Sequence, residues 1–244
     1  MKIVKVMGLA VLGILAATRL DAQSTGAWSA IVDGGGRLTS TAASAFPPTP
    51  YGLAAVGNGV YNATIYVDDQ SPANEPRYRF RFYFKTNGWD TGIGSGSFRT
   101  RMFTAIDLDG GSGGGPRRLL MVALRYCPSG TPGCSFLTRQ YGIVARIWNS
   151  AINDYIQVGP FPIISGWRYV EGDWKRATAP AANDGTFELW IDGVSQVALT
   201  GLANETLGVD SARLGLIEPL LGHSGTLFLD EFESRRQTYI GALP

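Results

Sequence analysis

The chain has 244 residues, 45% of them hydrophobic and 17% charged, with a formal net charge of +1. That composition can bury a core, and it lacks the broad basic excess that general nucleic-acid binding requires. One histidine and two cysteines leave little material for a thiolate or imidazole metal centre.

The chain opens with a pattern expected of a secretory signal peptide. Lys2 and Lys5 form a basic start, and Val6 to Ala17 is an apolar run too short to span a bilayer as a helix. Leu20-Asp21-Ala22 places a small residue at the cut, so residues 1–22 read as signal and Gln23 as the mature N-terminus. No cysteine stands at the cut to carry a bacterial lipid anchor, and no second long apolar run follows, so membrane insertion is not expected after cleavage. The expected location is the periplasm or the outside of the cell. Removing 22 of the 244 residues leaves 222; three basic residues and one acidic residue go with them, taking the net charge from +1 to −1. Residues 23–53 are small and polar, become proline-rich at their end, and read as an irregular arm.

Beyond the arm no stretch of a dozen residues carries a helical period. Short alternating runs are separated by Gly, Pro, Asn and Asp clusters instead, the pattern of a sandwich or barrel. The clearest strand is Arg77 to Lys85, with Tyr78, Phe80, Phe82 and Phe84 on one face and Arg77, Arg79, Arg81, Tyr83 and Lys85 on the other. Further strands are expected over 102–108, 119–126, 136–148, 155–158, 167–176, 186–192, 194–200, 212–217 and 226–234. Asp192-Gly193 between two such runs is a strong hairpin signal, and Asn87-Gly88 and Asn183-Asp184-Gly185 are turns. The Gly110 to Pro116 loop has no following Gly-Lys-Ser/Thr, so it is not a phosphate loop. Cys127 and Cys134 flank a turn-rich segment and are expected to pair as a disulfide across it, with a metal or redox pair as the unsupported rival. There is no internal repeat and no second domain.

The C-terminal half carries a longer pattern. Trp167-x-x-Val170-x-x-x-Trp174 precedes Asp184-Gly185-Thr186-Phe187-Glu188-Leu189-Trp190-Ile191-Asp192-Gly193. Gly201-Leu202-x-Asn204, Val209-x-x-x-Arg213-Leu214-Gly215 and Ser224-Gly225-Thr226-Leu227-Phe228-Leu229-Asp230-Glu231-Phe232 follow. From Ala54 to Arg236 the chain resembles the concanavalin A-like lectin/glucanase superfamily, in the branch that includes laminin G-like domains. The resemblance implies an all-β fold, an antiparallel two-sheet jelly-roll sandwich over residues 54–240. It implies a ligand on one concave sheet face or its rim loops. It does not choose among lectins, adhesion modules, hydrolases and lyases.

The glucanases of this superfamily use Glu-x-Asp-x-Glu on one strand. The nearest match here is Ala105-Ile106-Asp107-Leu108-Asp109, which lacks the nucleophile at Ala105. The alternative is that Asp107 and Asp109 end a strand and open the glycine loop. Glu231 and Glu233, followed by Arg235 and Arg236, read as a solvated, charge-paired edge, and His223 reads as a polar loop residue before the last strand. No Gly-x-Ser-x-Gly elbow is present. No catalytic residue is assigned on these motifs, and an enzyme is the less favoured alternative. The resemblance also suggests a structural calcium held by Asp230, with Asp68 and Asp69 as further ligands; a capping hydrogen bond is the alternative.

Strand parity points one further set away from the core: Arg79, Arg81, Tyr83, Arg125, Arg146, Trp148, Glu188 and Trp190. If those strands share a sheet, guanidinium forks and aromatic rings form a platform suited to an acidic polysaccharide. The bland alternative is outward arginine that keeps strand edges soluble. The leading expectation is thus a secreted, non-catalytic carbohydrate-binding or adhesion module. A polysaccharide lyase or glycoside hydrolase and a self-associating surface protein are the alternatives.

Overall fold

The structure is a computed structural model that describes residues 25–91, 99–110, 115–127 and 140–243. The signal segment and Cys134 lie outside the described residues. Two antiparallel seven-stranded sheets pack face to face. The front sheet runs in the order β1 (Ala30–Val32), β4 (Ile65–Asp69), β13 (Ser211–Ile217), β6 (Arg99–Asp107), β7 (Arg117–Cys127), β8 (Gln140–Asn149), β9 (Asp154–Pro162). The back sheet runs β12 (Val194–Leu202), β11 (Gly185–Ile191), β10 (Arg168–Lys175), β5 (Arg77–Lys85), β14 (Ser224–Arg235), β3 (Gly52–Asn58), β2 (Leu38–Thr41).

Alternation places the core where the sequence puts it. Phe80, Phe82 and Phe84 of β5 and Phe187, Leu189 and Ile191 of β11 point inward against Phe103, Leu120, Val122, Ile143, Ala145 and Ile147 of the front sheet. Phe80 stacks on Phe103 with ring centroids 4.1 Å apart. Gly172 of β10 makes room for that ring, because a Cβ there would lie 2.4 Å from Phe80. The Asp192-Gly193 hairpin has both residues at positive φ, 49° and 79°, which matches the right-handed twist of the strands it joins.

One sequence expectation is corrected here. The segment read as an irregular arm supplies an edge strand to each sheet, β1 against β4 and β2 against β3. These strands are three and four residues long, too short to show alternation. On β14 a bulge between Asp230 and Glu233, with Glu231 at φ 49°, shifts the parity by one and sends Phe232 into the core. That shift turns Glu233 outward beside Arg81.

Candidate functional site

The eight residues expected to form one platform do not share a sheet. Arg79, Arg81, Tyr83, Glu188 and Trp190 lie on β5 and β11 of the back sheet, whereas Arg125, Arg146 and Trp148 lie on β7 and β8 of the front sheet. Each does face away from the core, but on opposite sides of the sandwich. The single platform is therefore wrong, and the two faces must be taken apart.

On the back sheet the charges are structural. Arg79 Nε donates to Glu171 at 2.7 Å and its guanidinium reaches Asp173 at 3.3 Å. Arg81 pairs with Glu233 at 3.2 Å and with Glu231 at 3.8 Å. Glu231 and Glu233 are thus part of a packed ionic layer, not a solvated edge. The C-terminal segment covers it: Ile240 N and Gly241 N donate to the two oxygens of Glu171, which is 0% exposed. Arg81 donates to Gly241 O at 2.8 Å, and Leu243 N donates to the Tyr83 hydroxyl at 2.9 Å. Trp190 meets Tyr239 edge-on, with the Arg79 guanidinium over both rings. Glu188 accepts from Ser195 in the next strand. What covers Trp190 is thus the C-terminal tail.

The N-terminal arm docks nearby. Phe46 packs on Tyr83 at 4.1 Å and Trp167 at 5.6 Å, and its N–H donates to Asp230 at 2.7 Å. Asp230 also accepts from the Thr49 hydroxyl at 2.7 Å and from Glu231 N at 2.8 Å. Both carboxylate oxygens are therefore engaged by donors, and burial raises the pKa of this group. The expected co-ligands are elsewhere: Asp68 and Asp69 lie on β4 of the other sheet, where Asp68 accepts from Ser211 and pairs with Arg213 at 3.2 Å. Asp230 here anchors the arm, and no cluster of three metal-binding side chains occurs among the described residues.

Three other sequence candidates resolve into scaffold. Asp107 is buried at the end of β6 and accepts from Gly110 N and Gly208 N, tying the glycine loop to its neighbour. His223 lies in the loop before β14 as expected, but it is buried there: it is 1% exposed, meets Trp89 edge-on, and its Nδ1 accepts from Leu220 N at 3.1 Å. Cys127 is fully buried at the end of β7.

The outer face of the front sheet is different. Register sets Arg99 of β6 opposite Arg125 of β7, Arg101 opposite Ala123, and Arg146 of β8 opposite Met121. Trp148 faces Tyr155 across β8 and β9. Three adjoining recesses open on this face. One of about 230 Å³ is lined by Tyr61, Arg99, Arg101, Glu218 and Leu220. A second of about 420 Å³ is lined by Ile106, Pro116, Arg117, Arg118, Tyr155 and Arg213. A third of about 320 Å³ lies between them and shares Glu218 with the first and Ile106, Arg118 and Arg213 with the second.

The face is strongly cationic. Its ion pairs are Glu218 with Arg101 and Arg118, Asp68 with Arg213, and a long contact of Asp154 to Arg146 at 3.9 Å. Arg99, Arg117 and Arg125 have no carboxylate partner among the described residues. The internal segments outside the described residues, 92–98, 111–114 and 128–139, contain no Asp or Glu to supply one. Burial, then the charges of Arg146 and Arg125, lowers the pKa of Arg99. The aromatic rings of the face are already occupied by cations: Arg117 lies 4.2 Å over Trp148, Arg146 4.6 Å over Tyr155, and Arg213 4.6 Å over Tyr66. A guanidinium held over a ring face can still direct N–H groups at its rim toward a carboxylate or sulfate.

Of the outward residues expected from the sequence, Arg125, Arg146 and Trp148 lie on this face but line none of the three recesses, whereas Arg99, Arg101, Arg117, Arg118, Arg213, Tyr155 and Glu218, which do line them, were not among those expected. Arg99 and Arg101 fell before the expected start of their strand, and Arg117 and Arg118 likewise. Glu218 follows β13 and carries no periodic signal at all.

No family model and no curated protein matches the chain. Solved structures do. A structure described as cellulose induced protein, Cip1, matches with a TM-score of 0.54 at 14% identity, covering 84% of this chain and 87% of that one. A variant of alginate lyase Aly36B in complex with alginate tetrasaccharide matches with a TM-score of 0.53 at 10% identity, covering 89% of this chain and 92% of that one. Another structure of alginate lyase Aly36B gives a TM-score of 0.51 at 10% identity, over 78% of this chain and 84% of that one. At such identities the likeness concerns the fold alone. Two packed antiparallel seven-stranded sheets and these matches together show that the chain adopts the concanavalin A-like jelly-roll fold.

Proposed function

We propose that the protein is a secreted module that binds an acidic polysaccharide along the outer face of the front sheet. The observation that carries this reading is the run of three adjoining recesses lined by Arg99, Arg101, Arg117, Arg118 and Arg213, with Glu218 as the one carboxylate among the described residues that line them. A trough with that excess of guanidinium groups favours a chain that repeats a carboxylate or sulfate along its length. The kind of ligand agrees with the alginate bound by one structural neighbour. Hydrolysis of a glycosidic bond uses a pair of carboxylates across the bond, and among the described residues these recesses offer Glu218 alone.

A second reading, cleavage of such a chain by β-elimination, is favoured by one observation: Tyr155 lines the same recess as Arg117, Arg118 and Arg213. Burial raises the Tyr155 pKa in spite of Arg118, Arg146 and Arg117. The Tyr155 hydroxyl donates to the Arg118 backbone oxygen at 3.1 Å, so the scaffold already engages it, which places binding ahead of elimination.

Calorimetric titration of the mature protein with alginate and with a neutral glucan tests the proposal. Binding is expected for alginate alone and should weaken with added salt. Arg99→Ala and Arg125→Ala are each expected to weaken it roughly tenfold, the worth of one hydrogen bond to a charged group. Neither has an ion pair among the described residues, and relief of their mutual repulsion should leave the melting temperature unchanged or slightly higher. Equal affinity for the neutral glucan, or no effect of either substitution, would move the ligand off this face. Ultraviolet absorbance of an unsaturated product in the same mixtures separates a lyase from a binding module.

A further inference from the structure

Glu218 is the anomaly of the arginine trough. It lines two of the three recesses and forms ion pairs with both Arg101 of β6 and Arg118 of β7. Its backbone is in the left-handed region, φ 51°, and it precedes Pro219, a position where steric contact with the proline ring favours extended backbone. A non-glycine residue at such an angle costs free energy that the surroundings must offset. Here the neighbours hold it: Glu218 N donates to the Thr64 hydroxyl at 3.2 Å, and Asn62 N donates to Pro219 O at 2.8 Å. The turn sets the carboxylate over the sheet between Arg101 and Arg118.

We propose that Glu218 is an internal stand-in for the ligand's anionic group. In the free protein its carboxylate occupies the Arg101/Arg118 fork, and an incoming carboxylate or sulfate of the glycan displaces it. The inference rests on the reading of this face as an anionic-ligand site, and it adds a regulation of that site. The carboxylate keeps two guanidinium groups apart and oriented while no ligand is present. It also sets a threshold: an isolated weak anion does not dislodge it, whereas a polyanion that gains contacts at Arg99 and Arg213 together does. Selectivity for chains over single sugars follows from the competition.

The test compares the wild type with Glu218→Gln, and with Glu218→Asn, whose side chain tolerates the left-handed backbone best. Each protein is titrated by calorimetry with sulfate, at ionic strength matched by chloride, and with an alginate oligosaccharide. Removing the competing carboxylate should tighten both ligands roughly tenfold, with the larger relative gain for sulfate. Adding Arg101→Ala to either variant should abolish the gain. A gain for sulfate with no alginate binding by any protein upholds the stand-in role and overturns the polysaccharide reading. Alginate binding that is unchanged or weaker in both variants, with no gain for sulfate, overturns the stand-in role and leaves the polysaccharide reading in place. No binding of either ligand by any of the proteins overturns both.

Discussion

Protonation of His223 should limit the acid stability of this protein. The chain has one histidine, and the fold buries it against Trp89 with its Nδ1 accepting from Leu220 N. Burial lowers its pKa from 6.5 to about 4, against the opposing pull of the Thr91 backbone and the Asp90 charge. The native state thus holds this proton more weakly than the unfolded chain does. The contribution to stability is complete above the unfolded value near 6.5, declines as the pH falls, and is gone below about 4. Over that window the loss amounts to about 3 kcal/mol, with a slope near 1.4 kcal/mol per pH unit. Urea unfolding of the wild type and of His223→Gln, measured from neutral pH down to about 4, isolates the effect. Carboxylates titrate equally in both proteins and cancel in the difference. The glutamine oxygen can accept from Leu220 N but takes up no proton, so the wild type should lose its advantage by about 3 kcal/mol across the window. A difference that does not change with pH, or an imidazole seen by nuclear magnetic resonance to titrate near 6.5, would refute the reasoning.

Three further outcomes are expected. Arg81→Ala breaks a buried ion pair and leaves Glu233 and Glu231 without it; it should cost about 3–5 kcal/mol in urea unfolding while alginate affinity stays at the wild-type level, the reverse of Arg99→Ala. Deleting the chain from Tyr239 onward takes two N–H donors from the buried Glu171 carboxylate and should lower stability by about 2–5 kcal/mol, read by the same denaturation. Cys127 and Cys134 are expected to be bonded in secreted material, so the unreduced mass should fall short of the reduced mass by a pair of hydrogens. Loss of that short-loop bond should cost only about 2 kcal/mol, at the low end for disulfides.

Much of the fold was legible because alternation is a local property. The Arg77–Lys85 run declared its strand and both its faces, and Asp192-Gly193 declared its hairpin, since only those two residues need tolerate positive φ there. The short strands Ala30–Val32 and Leu38–Thr41 were not legible, because three or four residues cannot establish a period and their pairing energy comes from β4 and β3. The bulge after Asp230 was hidden for a related reason. Inserting one residue inverts the faces that follow, and nothing in Asp230-Glu231-Phe232-Glu233 states whether the insertion occurs.

The sequence by itself determined that this is an all-β protein with an outward set of arginines and aromatic rings. It did not determine which outward residues meet. Parity assigns each side chain to one of two faces of its own strand, and says nothing about which sheet the strand joins. That choice is made by pairing across long stretches of chain: β5 between β10 and β14, β7 between β6 and β8. Those pairings put Arg81 and Arg146 on opposite sides of the sandwich, although both point away from the core. The tertiary structure also decided what becomes of each charge. Glu171, Asp173 and a C-terminal segment with no pattern of its own neutralise and cover the arginines of the back sheet. On the front sheet Arg99, Arg117 and Arg125 have no carboxylate partner among the described residues, because the strands that come to lie beside them bring too few acids.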